Sequence, residues 1–174
     1  MATTGDTLVM PDGTSFRLVR AASDTAGELV EFEIAFPAGA PSVPPHIHPS
    51  QEEEWDVVSG TLSGYLDGDW QTFGPGETVR IPAGRAHAPA NRSRETLVVR
   101  DLHRPALDFQ EYIEKLHRLA HEGKIASPRQ PRTLVYFAML WHEHRRMQYA
   151  SSRPLRAVVP VLAGLGRLLR LRTD

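Results

Sequence analysis

The sequence predicts a mainly β domain of the sandwich, jelly-roll or barrel type, followed by an α-helical extension. Up to about residue 104, β-branched and aromatic residues come in short runs that Gly, Pro and Asp interrupt at close intervals. After Arg104-Pro105 the apolar residues take helical spacing instead. The charge changes there too, since residues 1–101 carry 7 basic and 15 acidic side chains and residues 102–174 carry 13 and 6. We therefore predict a β domain over 1–104 and a basic helical extension over 105–174.

Seven segments of the first part have the composition of strands, and Asp67-Gly68-Asp69 is typical of a hairpin turn. The predicted strands are residues 15–20, 29–36, 53–59, 61–66, 70–73, 77–81 and 96–102. Many short strands with turn signals between them indicate an all-β architecture.

Three segments of the extension have helical periodicity. Residues 108–122 place apolar side chains on one face, residues 132–149 contain a broad apolar run, and residues 155–169 are amphipathic and basic. The apolar face of the third segment comprises Leu155, Val158, Val159, Leu162, Leu165 and Leu169, with Arg156, Arg167 and Arg170 opposite. Such a helix fits an anionic membrane surface or a protein surface. Docking on the barrel or on a partner subunit is the favoured interpretation, because buried amphipathic helices far outnumber interfacial ones.

Composition excludes several classes of protein. The chain has 174 residues and no cysteine, which suits one domain of ordinary size and limits any metal to nitrogen and oxygen ligands. Residues 1–6 have neither a basic start nor an apolar run, and arginines and a proline interrupt the only long apolar stretch, so a cytoplasmic, non-spanning protein is expected. The net charge of −1 and the lack of a convincing helix-turn-helix argue against a nucleic-acid partner.

The residues that indicate chemistry are histidines and a glutamate. His46 and His48 lie two positions apart, so in an extended strand both side chains point to one side. The acidic run 52–54 follows closely, and His87 comes after the turn-like 82–84. Three nitrogens and one oxygen suit Fe, Mn, Ni, Co, Cu or Zn rather than Ca or Mg.

These residues resemble the two motifs of the cupin superfamily. The first motif spans Gly39 to Gly60 and contains the two histidines and a glutamate, with one extra residue before His46. The second spans Gly76 to Asn91 and matches at every specified position. The resemblance covers about residues 7–104. The segment between the two motifs is short, like that of small single-barrel cupins.

The resemblance implies a jelly-roll-type β-barrel that holds one divalent transition metal through His46, His48, Glu53 and His87. Glu53 fits the motif spacing, whereas strand alternation turns Glu52 and Glu54 to the other side. The resemblance also implies a homodimer, since related barrels commonly pair.

Two functions stay open at this point. Such a metal site could serve a dioxygenase or an isomerase-type enzyme acting on a small organic molecule. Alternatively, the barrel is a non-catalytic small-molecule-binding or sensory module with a structural metal. Trp55 and Val57 share the side of Glu53, which predicts an apolar wall near the metal, and no catalytic residue is predicted.

The remaining polar residues with a conceivable role lie around the predicted site or in the extension. Arg85 and Tyr65 are candidates to support the ligands, and His103 could reach the barrel mouth. His117 and His121 have helical i,i+4 spacing but no evident third ligand, so they are expected on the surface.

Overall fold

The computed structural model describes residues 1–40, 42–127 and 129–173. In chain order the strands are β1 (Thr7–Val9), β2 (Ser15–Arg20), β3 (Val30–Phe36), β4 (His46–Ile47), β5 (Glu52–Ser59), β6 (Leu62–Leu66), β7 (Asp69–Phe73), β8 (Thr78–Ile81), β9 (Ala86–Ala90), β10 (Leu97–Arg104) and β11 (Tyr149–Ala150). The α-helices are α1 (Phe109–His121), α2 (Pro131–Glu143) and α3 (Arg153–Leu168), and a short 3₁₀ helix spans Ala22–Thr25. The predicted mainly β fold with a helical extension is thereby confirmed.

The strands form two antiparallel sheets that make up the walls of the barrel. One sheet has the order β1-β2-β3-β10-β5-β8, and the other has the order β11-β4-β9-β6-β7. Successive side chains of a strand point to opposite faces, so one face of each central strand fills the interior. On β5 the interior face is Glu53, Trp55 and Val57, as the alternation predicted.

The seven predicted strands all occur, with ends that differ by at most two residues. The strands β1, β4, β9 and β11 are not among the seven predicted segments. They are short, and β9 contains Pro89, a residue that normally argues against a strand interior. The pairing of β9 with both β4 and β6 overrides that local preference.

Gly60 permits the tight connection between β5 and β6. Its φ of +79° lies in the region that favours glycine, and a Cβ atom there would lie 2.5 Å from the carbonyl oxygen of Thr96. The end of β5 can therefore approach β10 only because this position has no side chain.

The extension is built into the barrel rather than appended to it. Helix α1 has nearly the predicted bounds, but α2 ends at Glu143 and not at residue 149. The reason is tertiary: Met147 and Gln148 are buried, and Tyr149–Ala150 forms β11, which pairs with β4. Strand β10 ends at Arg104, and the division into units 1–104 and 105–174 stays a prediction. Among the described helices, none has the length and apolar character to cross a membrane.

Candidate metal centre

The four predicted ligands come together between the two sheets. His46 on β4 lies opposite His87 on β9, His48 follows β4 directly, and Glu53 enters from β5 of the other sheet. One potential ligand atom from each residue lies within 4.8 Å of the others. All four side chains are at most 5% exposed, so the cluster is an interior feature of the barrel.

The three histidine rings are oriented by backbone carbonyls. Nδ1 of His46 lies 2.9 Å from the Pro44 carbonyl, and Nδ1 of His87 lies 2.9 Å from that of Arg85. The third ring, His48, approaches the Met147 carbonyl at 3.0 Å, a partner from the extension. A carbonyl oxygen only accepts, so each Nδ1 carries the proton and each neutral ring keeps a lone pair on Nε2. This is the tautomer that a metal bound at Nε2 requires.

The two carboxylate oxygens of Glu53 have different neighbours, one the Trp55 indole and the other the histidine rings. Oε1 accepts a hydrogen bond from the indole N–H of Trp55. Oε2 lies 2.6 Å from Nε2 of His87 and 3.4 Å from Nε2 of His48. Among the described residues, these three buried atoms have no hydrogen-bond partner outside the cluster. Buried polar atoms are rarely left without a partner, so a cluster of such atoms fits a cation that binds them all.

The electrostatics give two of the histidines and the glutamate the protonation states that a metal needs. Burial lowers the pKa of His46 to about 4 and that of His48 well below its usual value. For Glu53 burial acts the other way, but the charges of His87 and His103 hold its pKa well below the usual range. The pKa of His87 is raised, since Glu53 outweighs the effect of burial, so a metal would displace a proton from this ring.

A second buried pair, Asp101 and His103, adjoins the cluster on β10. Oδ2 of Asp101 lies 3.2 Å from Nε2 of His103, and the His103 ring is stacked on Phe109 of α1, with ring centroids 3.5 Å apart. Oδ1 of Asp101 and Nδ1 of His103 have no partner among the described residues. Burial raises the pKa of Asp101 to about 6, and Asp101 together with Glu53 raises that of His103 against the effect of burial.

The sequence pointed to only one member of this pair. It placed His103 at the end of a strand near the barrel mouth, and it missed Asp101. The available signal was strand alternation, because Leu97, Val99, Asp101 and His103 share the interior face of β10. Two polar residues on a face that is otherwise apolar mark a polar site inside the barrel.

A cavity of about 210 Å³ lies beside both groups of polar residues. His46, Glu53, Asp101 and His103 contribute to its wall. The other lining residues are mainly apolar and come from the sheet and from the extension: Phe16, Ile34, Phe36, Ser42, Val43, Pro44, Pro89, Phe109, Tyr112, Ile113, Leu116, Phe137 and Gln148. Helices α1 and α2 thus close one side of the interior and bring aromatic rings to it.

The other candidates lie away from this interior. The Arg85 side chain is exposed and pairs with Asp67, so only its carbonyl oxygen serves the cluster. Tyr65 packs against Trp70, with ring centroids 5.5 Å apart. His121 is exposed and approaches the Val9 carbonyl through Nε2 at 2.7 Å. Neither Arg85 nor Tyr65 lines the cavity within the described part of the chain.

Comparison with known proteins agrees with this architecture. A family model described as a cupin domain matches residues 32–103, which span β3 to β10 and include all four candidate ligands. Residues 32–103 of the chain therefore form a domain of the cupin type. No curated protein matches the chain.

Two solved structures are similar in fold. KdgF from a Halomonas species has 22% sequence identity and a TM-score of 0.53, over 60% of this chain and 90% of that one. An RmlC-like cupin from Shewanella frigidimarina has 18% identity and a TM-score of 0.51, over 61% of this chain and 88% of that one. At these identities the likeness shows the fold alone.

Proposed function

We propose that this cupin binds one divalent transition metal through His46, His48, Glu53 and His87. The observation that carries the proposal is the convergence of buried nitrogen and oxygen atoms that have no hydrogen-bond partner outside the cluster, with each ring oriented by a backbone carbonyl. Three nitrogens and one carboxylate oxygen suit Fe, Mn, Ni, Co, Cu or Zn. Four protein ligands leave one or two coordination positions for a small molecule.

We further propose that the cavity binds a small organic molecule and that the protein acts on it as a dioxygenase or an isomerase-type enzyme. A bound metal would supply Lewis-acid polarisation of a substrate oxygen or, if redox-active, reactivity with dioxygen. The apolar walls exclude water from the molecule, while Asp101 and His103 offer unpartnered polar atoms to orient it. At about 210 Å³ the cavity is smaller than the roughly 300–1,000 Å³ typical of drug-sized ligands.

A second candidate function is a sensory module in which the metal is structural. The observation that favours it is the contact between the His48 ring and the Met147 carbonyl, because Met147 leads directly into β11 and α3. A ligand that shifts His48 would therefore move the start of the C-terminal helix. The two candidates share the metal site and differ in whether the bound molecule reacts.

The metal site is tested by elemental analysis of the purified protein under metal-replete conditions. We expect about one metal ion per chain in the wild type and below about a tenth of that in His48→Ala, because a missing ligand exposes the ion to competing water. His117→Ala is the matched control, since His117 lies on α1 away from the cluster. Equal metal content in wild type and His48→Ala would remove the basis of the proposal.

Reactivity is tested on the metal-loaded protein. An iron-loaded sample that consumes oxygen with chelating phenols or diketones supports the dioxygenase, and conversion without oxygen uptake supports the isomerase. Saturable binding without turnover supports the sensory module instead.

A further inference from the structure

The outward face of helix α3 is more apolar than its packing requires. The helix contacts α2 through Ala163 and Gly166, which are both buried, and Gly166 lies against the Met139 side chain. Leu162 is partly buried in the same contact. These residues lie on one side of the helix, so α2 covers only part of the apolar surface of α3.

An exposed apolar stripe runs along the uncovered side. Val158, Val161, Leu165 and Leu168 are 46%, 69%, 42% and 79% exposed, and their spacing of three, four and three residues keeps them on one helical face. The stripe continues at its C-terminal end into the exposed Leu169. A contiguous row of exposed aliphatic side chains on one helix face is the kind of surface on which another molecule docks.

The C-terminal segment that carries the stripe is rich in arginine. Between residues 144 and 173 the sequence contains seven arginines and no acidic residue or lysine. At about 100° per residue, Arg153 flanks the stripe, and Arg156 and Arg167 lie on the opposite, polar side of the helix. All three side chains are exposed.

The charge decides between a second copy of the chain and a lipid surface. A symmetric dimer through the stripe would place the same patch against itself, and would bring together two segments that each carry seven arginines against the one acidic side chain of Asp174. An anionic bilayer offers apolar depth to the stripe and a phosphate to Arg153 at its flank, and its negative surface potential attracts the arginines on the other side through the solvent. We propose that α3 docks this protein on an anionic lipid surface, with the stripe buried at the boundary between headgroups and acyl chains.

Vesicle flotation of the whole 174-residue chain tests this surface independently of the metal site. We expect the wild type to float with vesicles of phosphatidylcholine and phosphatidylglycerol at about 0.05 M salt, with a bound fraction at least about tenfold above that with phosphatidylcholine alone. Raising the salt to about 0.5 M should release most of the protein, because it screens the arginines.

The informative variant is Val161→Asp with Leu168→Asp, since these two side chains are the most exposed of the stripe and contribute least to packing. We expect it to lose flotation by at least about tenfold while its thermal unfolding stays near that of the wild type. The control is Val9→Asp with Val58→Asp, which changes the charge equally at half-exposed positions on the barrel and should float like the wild type.

Three outcomes would overturn the proposal. The wild type stays at the bottom of the gradient with anionic vesicles, or it floats equally well with neutral ones, or the stripe variant floats like the wild type. A different result is that the wild type fails to bind vesicles and is a dimer by sedimentation, with the dimer lost in the stripe variant. That result would assign the stripe to the contact between two copies of the chain.

Discussion

Replacement of Trp55 by Phe should weaken metal binding without touching a ligand. The indole N–H donates to Oε1 of Glu53 and so holds Oε2 toward His48 and His87. A hydrogen bond to a charged group contributes about 1.5–3 kcal/mol, which corresponds to roughly tenfold to 150-fold in affinity. Loss of a partner that orients a metal ligand typically costs about 10- to 100-fold. We therefore expect the dissociation constant for Zn²⁺ or Fe²⁺ to rise by about 10- to 100-fold.

The matched control is Trp141→Phe. Trp141 is 2% exposed and Trp55 is 1% exposed, so the same atoms are removed from equally buried positions. The indole of Trp141 donates to the Tyr112 hydroxyl at 3.1 Å, away from the cluster. Both variants should lose about 1–3 kcal/mol of unfolding free energy, and only Trp55→Phe should lose metal affinity.

Metal affinity is measured by competition with a chelator of known affinity, and stability is measured by urea unfolding of the metal-free proteins. Binding by Trp55→Phe within about threefold of the wild type would refute the role of the indole, because one hydrogen bond to a carboxylate is worth more than that. An equal loss in Trp141→Phe would show that general loosening of the fold, and not orientation of Glu53, controls the affinity.

Three further outcomes follow from the geometry. Gly60→Ala and Gly68→Ala should each lose about 1–3 kcal/mol of unfolding free energy, because both positions have a positive φ. Gly60→Ala should lose at least about 1 kcal/mol more, as measured by urea titration. The reason is that its Cβ would lie 2.5 Å from the Thr96 carbonyl oxygen, whereas no atom lies within 4 Å of a Cβ at Gly68. Similar losses in the two variants would contradict the close approach. In the metal-free protein, burial lowers the pKa of His46 from 6.5 to about 4. Between these two pH values the unfolded chain binds a proton at this residue and the folded chain does not, so the stability of the fold decreases as the pH falls from 6.5 to 4. In His46→Gln, the decrease of the unfolding free energy between pH 6.5 and pH 4 should be smaller than in the wild type by on the order of 3 kcal/mol. Parallel pH profiles of the two proteins would contradict this prediction. Arg85→Ala should keep the metal affinity of the wild type in chelator competition, because only the backbone of this residue contacts the cluster. A tenfold loss of affinity would show that the guanidinium group contributes to metal binding.

Local sequence patterns were sufficient to predict most strands of the barrel. The strand bounds and the inward side of Glu53, Trp55 and Val57 follow from a period of two residues, which depends only on neighbours in the chain. Strand β9 escaped prediction, since the composition Ala-His-Ala-Pro-Ala contains little β preference and its pairing partners are distant. The end of α2 was wrong for the same reason: the pairing of Tyr149 with Ile47 outweighs the helical preference of residues 144–149.

The sequence by itself was enough to name the candidate ligands, since the resemblance of two motifs to those of the cupin superfamily implies His46, His48, Glu53 and His87. The structure brings these four side chains together. The tertiary structure decided what surrounds them. The carbonyl that orients His48 comes from Met147, 99 residues along the chain, and Phe109 stacks on His103 from the helical extension. It also decided that α3 leaves an apolar stripe exposed, since coverage of an amphipathic helix depends on the shape and size of its neighbour. Periodicity records which side of an element is apolar, whereas the contact that covers that side is settled only when distant segments pack together.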